Sequence, residues 1–330
     1  MMLDFAIVQT WHLGAMLAMF VITYGLLHIL IARKPVSWRV HTTGKPIYYA
    51  GWILAIAITI PAAIFLQDMS LAVGLLGAVF IIGIVGRLDE ERKLSARRQL
   101  FWQMIIAAWA VWWGWSILHI TNPFGEGVLV LPAMIGSVAA FIWFIVVMNA
   151  MNFLDGTDGL ASLVALITCV ALVGVSLLPE TQDARTLLLA LIAAGGIGAF
   201  FLWNAPSARV YLGTSGSWFL GLILGMIAII GGGKIATVLI VLALPLIDAL
   251  FVIVHRIASG KPPWVGDTKR HLHHKLRDAG VSRWGILALA GILTAVLGYV
   301  GVAAPTHIKI IVLAVALVLF FVTRFKTMRV

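Results

Sequence analysis

Asn149-Ala150-Met151-Asn152-Phe153-Leu154-Asp155-Gly156-Thr157-Asp158-Gly159-Leu160 sets four short polar side chains, Asn149, Asn152, Asp155 and Asp158, at strict three-residue spacing. The run lies where one long apolar segment ends and the next begins. A charged side chain at the centre of a membrane helix costs about 2.5–3.5 kcal/mol on insertion scales. Two aspartates between hydrophobic spans therefore imply a task, and Gly156 and Gly159 let the backbone fold sharply around whatever they hold. A helix cap at Asp158 followed by a tight turn is the simpler reading. A cap uses one carboxylate, however, and gives the two asparagines nothing to do.

Outward from this run the chain is a string of apolar segments. It is 62% hydrophobic and 11% charged, with a mean hydropathy of +1.06, values that exclude a water-soluble globular domain. Crossing a bilayer takes about 20 apolar residues per helix. Eleven such stretches run approximately 4–32, 47–66, 71–86, 99–118, 132–151, 159–178, 186–203, 217–232, 235–255, 284–303 and 308–323. The first carries no basic leader and no small-residue cleavage site, so it reads as a retained span. The expectation is one all-α polytopic membrane domain over residues 1–330, with the N-terminus outside and the C-terminus in the cytoplasm. In that orientation only Arg185, Lys234 and Lys309 of the 23 Lys and Arg face outward. The net charge of +10 is thus an orientation signature. No basic soluble domain is left to grip nucleic acid, and the cytoplasmic charge suits anionic lipids or anionic soluble substrates.

On the outer side, residues 119–131 combine turn chemistry at Asn122-Pro123-Phe124-Gly125 with a β-like run, which predicts a small hairpin on the bilayer face. Trp109, Trp112, Trp113 and Trp115 approach the same boundary and read as an aromatic belt. Cys169 is alone in its span, so no disulfide framework or thiolate metal site exists.

The polar constellations map to the cytoplasmic side. Asp89, Glu90 and Glu91 stand among Arg87, Arg92 and Lys93 at the end of the third span, where they suit either a metal beside a polyphosphate or a self-neutralised loop. The long loop holds Asp267-Thr-Lys269-Arg270-His271-Leu-His273-His274-Lys275, three histidines among cations that suit phosphate binding. A zinc site through His271 and His274 has no further ligands in its support. Tyr211 to Ser217 is a small-residue turn opening the eighth span, whose helix N-terminus would offer free N–H groups to an anion. Asp248, inside the ninth span, is an intramembrane carboxylate with either a functional or a helix-pairing role.

In order and wording, these motifs resemble the polyprenyl-phosphate N-acetylhexosaminyl-1-phosphate transferases of glycosyltransferase family 4. That superfamily includes the peptidoglycan translocase and the initiators of O-antigen (lipopolysaccharide), teichoic acid and arabinogalactan assembly. The resemblance runs from about Arg33 to Gly280. Arg39-Val40-His41 resembles the first cytoplasmic motif, and Leu88-Asp89-Glu90 falls on the family's aspartate pair. Asn149 to Leu160 matches N-x-x-N-x-x-D-G-x-D-G-L in full, Tyr211 to Ser217 falls on the M-G-D-x-G-S turn, and Asp267 with His271-Leu272-His273-His274 matches the histidine loop. The H-L-H-H wording is similar to that of the N-acetylglucosamine-type initiators.

The resemblance implies a multi-pass enzyme of the bacterial inner membrane with a cytoplasmic active site. It would move N-acetylhexosamine 1-phosphate from a UDP-sugar, UDP-GlcNAc by default, to polyprenyl (undecaprenyl) phosphate, releasing UMP with Mg²⁺ or Mn²⁺. It implies catalytic roles for Asp89, Glu90, Asp155 and Asp158, with Asp155, Asp158 and Thr214 at the metal. Substrate binding falls to Asn149, Asn152, Lys269, Arg270, His271, His273 and His274. A homodimer fits the family. Two positions depart from its pattern: Glu90 replaces the second aspartate, and Thr214 stands where the turn carries a metal-binding aspartate. Thr214 supports a second expectation, a catalytically reduced homologue that binds polyprenyl phosphate or partners. A transporter, the third class, expects repeated halves and broken helices meeting at the bilayer midplane, and no repeat is visible.

Overall fold

The computed structural model describes residues 2–32, 50–123, 125, 127–230, 234–260, 262 and 272–328; the side chains of 2–9, 273, 274 and 324–328 are not described. Arg39, Val40, His41, Asp267, Lys269, Arg270 and His271 lie outside the described residues.

Apolar composition becomes helix because every backbone N–H and C=O inside a bilayer must be satisfied within its own segment. The helices run α1 (Met2–Ala32), α2 (Ala50–Phe65), α3 (Met69–Arg92), α4 (Ala96–Trp112), α5 (Ala133–Leu154), α6 (Leu160–Ser176) and α7 (Ala184–Asn204). They continue as α8 (Gly213–Ile229), α9 (Ile235–Val241), α10 (Ala243–Ala258), α11 (Leu272–Asp278), α12 (Arg283–Ala303) and α13 (Thr306–Met328). Each of the eleven apolar segments falls on one of these helices or on the bent pair α9–α10. Among the described residues, six helices are long and apolar enough to cross a membrane, and the bent pair makes a seventh; α2, α6 and α8 are shorter apolar helices. The protein is an all-α polytopic membrane protein.

Two segments depart from the expected lengths. The ninth span breaks between α9 and α10 with a bend of 71°. Pro245, in the first turn of α10, has no N–H to offer Val241, and its ring crowds that carbonyl, which favours the bend at this point. The fourth span ends at Trp112, and Gly114 takes a left-handed φ of +95° that turns the chain out of the helix. The expected aromatic belt is therefore split. Trp112 is 84% exposed, whereas Trp115 is buried and donates its indole N–H to the Leu71 carbonyl of α3 at 3.0 Å. The hairpin forms as expected: β1 (His119–Thr121) pairs antiparallel with β2 (Val128–Val130), Ile120 opposite Leu129.

α8 is the axis of the bundle. Its residues from Ser215 to Ala228 are all buried, because apolar side chains on every face find protein on every face. Helices come this close in a membrane through small residues. A Cβ on Gly51 of α2 would lie 2.9 Å from Gly216 Cα, and one on Gly221 would lie 2.5 Å from Met148 Cα of α5.

The end of α7 far from the acidic run carries a buried ion pair. Asp183 caps α7 by accepting from the Arg185 and Thr186 N–H groups. Lys234, 3% exposed, donates to Asp183 Oδ2 at 2.7 Å and to Thr186 Oγ1 at 3.2 Å. Burial alone would raise the Asp183 pKa, but the bonds from Lys234 and Thr186 outweigh it and hold the carboxyl below its ordinary value. Stability drawn from a depressed carboxyl is complete above the unfolded pKa of about 4 and is lost as pH falls through the native value. Asp183→Asn is expected to cost about 3 kcal/mol at neutral pH by stranding the Lys234 ammonium. The gap in thermal midpoint between wild type and variant, measured in detergent, should shrink below pH 4; a gap independent of pH would remove the pair from the stability of this end.

Candidate active site

Of the carboxylates singled out in the sequence, Asp89 and Glu90 at the end of α3 and Asp155 at the end of α5 meet at the start of α8. At the last turn of α3, Asp89 is 8% exposed and its carboxylate is fully engaged. Oδ1 accepts from the Leu94 N–H (2.8 Å) and from Gln99 Nε2 (3.0 Å), closing the corner into α4, and Oδ2 accepts from the Thr214 hydroxyl. Asp89 is thus held in place with neither oxygen idle.

Glu90 is arranged differently. Its Oε1 accepts from Ser215 Oγ at 2.9 Å, and Oε2 is buried with no hydrogen-bond partner. A buried carboxylate oxygen without a donor is costly, more so than a neutral group, unless something positive reaches it. Gly213 makes the close approach possible. Its φ is +64°, and a Cβ there would stand 2.4 Å from Glu90 Oε1.

The turn from α5 to α6 supplies the other acids. Asp155, partly exposed, receives a backbone hydrogen bond from Gly213. Its pKa is pushed well above the ordinary carboxylate range, first by burial and then by the negative charges of Glu90 and Asp158, with the Gly213 N–H opposing. The N–H groups that open α8 therefore face the protein's own carboxylates: Gly213 serves Asp155 and Ser215 serves Glu90. The helix N-terminus expected to greet an external anion is occupied from within. Asp158 is 8% exposed, and its Oδ2 accepts from Arg283 Nη1 of α12 at 2.8 Å.

The two asparagines separate. Asn152 Oδ1 accepts from Ser217 Oγ of α8 at 3.1 Å, which places it beside the acids. Asn149 donates to Gln103 Oε1 of α4 (2.6 Å) and to the Ile145 carbonyl (2.8 Å), tying α5 to α4. Three residues advance a helix by roughly 300°, so a three-residue repeat drifts roughly 60° per step and cannot hold four side chains on one line. Asn204, which the sequence does not single out, buttresses the turn from behind: it accepts from Ser162 Oγ at 2.8 Å and donates to the Val210 carbonyl at 2.9 Å.

His273 and His274 sit on α11. Asp248, 7% exposed in α10, accepts from the Leu272 N–H at 3.1 Å and seats the start of that helix. Its role in the fold is thus to dock the histidine segment. Beyond α11 the chain turns at Gly280 (φ +85°) directly into α12 and Arg283. No local signal marked Arg283, Gln103 or Asn204, whose importance lies in partners distant in sequence; Ser215 falls within the small-residue turn that the sequence singled out. Among the described residues, no group of three or more His, Cys, Asp and Glu side chains is arranged to hold a metal ion.

Apolar helices bundled around α8, with their carboxylates gathered at helix ends on one side, define a polytopic membrane protein with an acidic site at one end of the bundle. The sequence pattern of glycosyl transferase family 4 matches residues 72–232, a span holding Asp89, Glu90, Asn149 to Leu160 and the start of α8. The chain is 27% identical over 227 residues to a probable undecaprenyl-phosphate N-acetylglucosaminyl 1-phosphate transferase of Bacillus subtilis, covering 64% of this chain and 60% of that protein. It is 28% identical over 240 residues to an undecaprenyl-phosphate alpha-N-acetylglucosaminyl 1-phosphate transferase of Thermotoga maritima, covering 72% of each. It is also 28% identical over 311 residues to a decaprenyl-phosphate N-acetylglucosaminephosphotransferase of Mycobacterium leprae, covering 82% of this chain and 77% of that one. The chain is similar to members of glycosyl transferase family 4, whose pattern it carries over just under half of its length.

Proposed function

We propose that the protein transfers N-acetylhexosamine 1-phosphate, with UDP-GlcNAc the first donor to test, to a polyprenyl phosphate such as undecaprenyl phosphate at the cytoplasmic face of a bacterial inner membrane. The observation that carries the reading is the convergence of Glu90 and Asp155 on the start of α8, with Glu90 Oε2 left buried and unpaired. The family pattern over residues 72–232 supports the reaction class, and the names of the relatives support the substrates. The bias of Lys and Arg toward one side supports the orientation.

In the proposed reaction an oxygen of the lipid phosphate forms a bond to the sugar-linked phosphorus of the donor. The bond from that phosphorus to the bridging oxygen breaks, and UMP leaves with the electron pair. A phosphate monoester has a second pKa near about 6, so the nucleophile is already mostly dianionic at neutral pH and needs no strong base. That agrees with Asp89, whose two oxygens are both committed to donors of the fold.

A divalent cation fits the residues present. Glu90 Oε2 lacks a donor, and Asp155 is driven toward its protonated form by burial and like charge, a strain that a cation relieves. Glu90 and Asp155 would hold Mg²⁺, which when bound supplies charge that offsets the diphosphate and the developing leaving group. Thr214 gives its hydroxyl hydrogen to Asp89, so the threonine that replaces an aspartate steadies a neighbouring acid. Asn152 and Asp158 shape the rim of the site, and His271, His273 and His274 with Lys269 and Arg270 would take the diphosphate.

The test is UMP release by the purified protein given UDP-GlcNAc, undecaprenyl phosphate and Mg²⁺, run beside Thr214→Asp. Lipid-dependent UMP that stops in excess EDTA is expected from the wild type. Activity that persists in EDTA would remove the metal. Silence in the wild type with activity in Thr214→Asp would favour the second reading, a reduced homologue that retains lipid binding, for which the neutral side chain at 214 is the specific observation.

A further inference from the structure

Arg283 is a largely exposed cation bound to the acidic turn. Its Nη1 donates to Asp158 Oδ2 at 2.8 Å, yet the arginine side chain is 59% exposed while that of Asp158 is 9% exposed. Guanidinium carries five N–H donors in a rigid planar fork, and this bond is the only one Arg283 makes to a described residue. The remaining donors are left without a partner among the described residues, on a side chain that is mostly exposed. An ion pair with so exposed a partner contributes about 0–1 kcal/mol, too little for stability alone to account for a cation placed here.

Position adds to the case. Arg283 opens α12 under the Ser282 cap and follows the Gly280 turn out of α11. It therefore joins the histidine helix, seated at its other end by Asp248, to the acidic turn. Asp158 in turn acts electrostatically on Asp155, so the guanidinium is bound to a carboxylate of the acidic turn itself. A fork that spends one edge on a carboxylate keeps its geometry for a second oxyanion, and phosphate matches that fork.

We infer that Arg283 binds a phosphate group of substrate, held in aim by Asp158; this rests on the transferase reading above. The phosphate belongs either to the nucleotide-sugar or to the lipid phosphate, and both present the same oxyanion to the fork. Asp158 is then an orienting residue for this arginine as well as a charge beside Asp155. Lysine at 283 would keep the charge and lose the second edge.

The experiment uses the full chain in nanodiscs. Binding of UDP-GlcNAc, UMP and uridine is measured by calorimetry, and KM is measured separately for donor and lipid, in wild type, Arg283→Ala, Arg283→Lys and the Asp158→Asn pair with and without Arg283→Ala. Arg283→Ala is expected to weaken UDP-GlcNAc and UMP about 10- to 100-fold while leaving uridine unchanged, with Arg283→Lys between. The loss should persist in the Asp158→Asn background. A rise confined to the lipid KM would assign the same fork to the lipid phosphate. Equal binding and equal KM values in Arg283→Ala, or no further loss once Asp158 is asparagine, would overturn the inference and leave Arg283 a mere partner of Asp158. A wild type that binds none of these ligands would overturn the transferase reading itself.

Discussion

Asp155→Asn is expected to lower lipid-dependent UMP release on the order of 10²- to 10³-fold, the scale on which single preorganised electrostatic groups act in transition-state stabilisation, while helix content and expression stay at wild-type levels. The side chain keeps its shape, and the amide can still sit beside the Gly213 N–H. What disappears is a carboxylate that a bound cation can hold in its charged form beside Glu90 and Asp158. Without it the site also loses like-charge repulsion, so folding has no reason to suffer. Steady-state rates beside circular dichroism separate the two effects, and a wild-type rate in this variant would refute the role given to Asp155. Asp158→Asn, which also releases Arg283, should lose turnover too.

Gly213→Ala should damage both stability and turnover. The residue holds φ at +64°, which costs a residue with a Cβ on the order of 1–2 kcal/mol. The new methyl would also stand 2.4 Å from Glu90 Oε1, an atom that Ser215 holds in place at 2.9 Å. Glu90 must move, and its unpaired Oε2 moves with it. A loss of about 1–3 kcal/mol in unfolding and at least about 10²-fold in turnover is the expected result. Gly14→Ala, with nothing within 4 Å of its Cβ, is the control and should leave both unchanged. Normal kinetics in Gly213→Ala would show that the position of Glu90 is not critical.

The class of the protein was legible because its cause is local. A run of about 20 apolar residues must bury its backbone polar groups in its own helix wherever it sits in the chain. The hairpin at 119–131 was legible for the same reason: turn chemistry at Asn122 and Gly125 and a β-rich run act over a few residues. The break before Pro245 and the early end of α4 at Trp112 had local causes as well, but hydropathy is blind to them, since proline and glycine interrupt a helix without making it polar.

The candidate site was legible as a set of residues and not as an arrangement. Spacing marked Asn149 and Asn152 alike, yet one ties α5 to α4 and the other meets Ser217 on α8. The acids at 89 and 90 were marked as a pair that differ in reach, and packing gave one a full set of donors and left an oxygen of the other bare.

Sequence alone thus determined that this chain lives in a membrane, which family pattern it carries and which acids gather between its spans. Tertiary structure decided what each acid faces. Thr214 meets Asp89, Ser215 meets Glu90 and Arg283 meets Asp158, each across 125 positions of chain. Such pairings depend on how helices cross and how closely glycines let them approach. No local periodicity encodes that, because it is the joint outcome of all the packed faces at once.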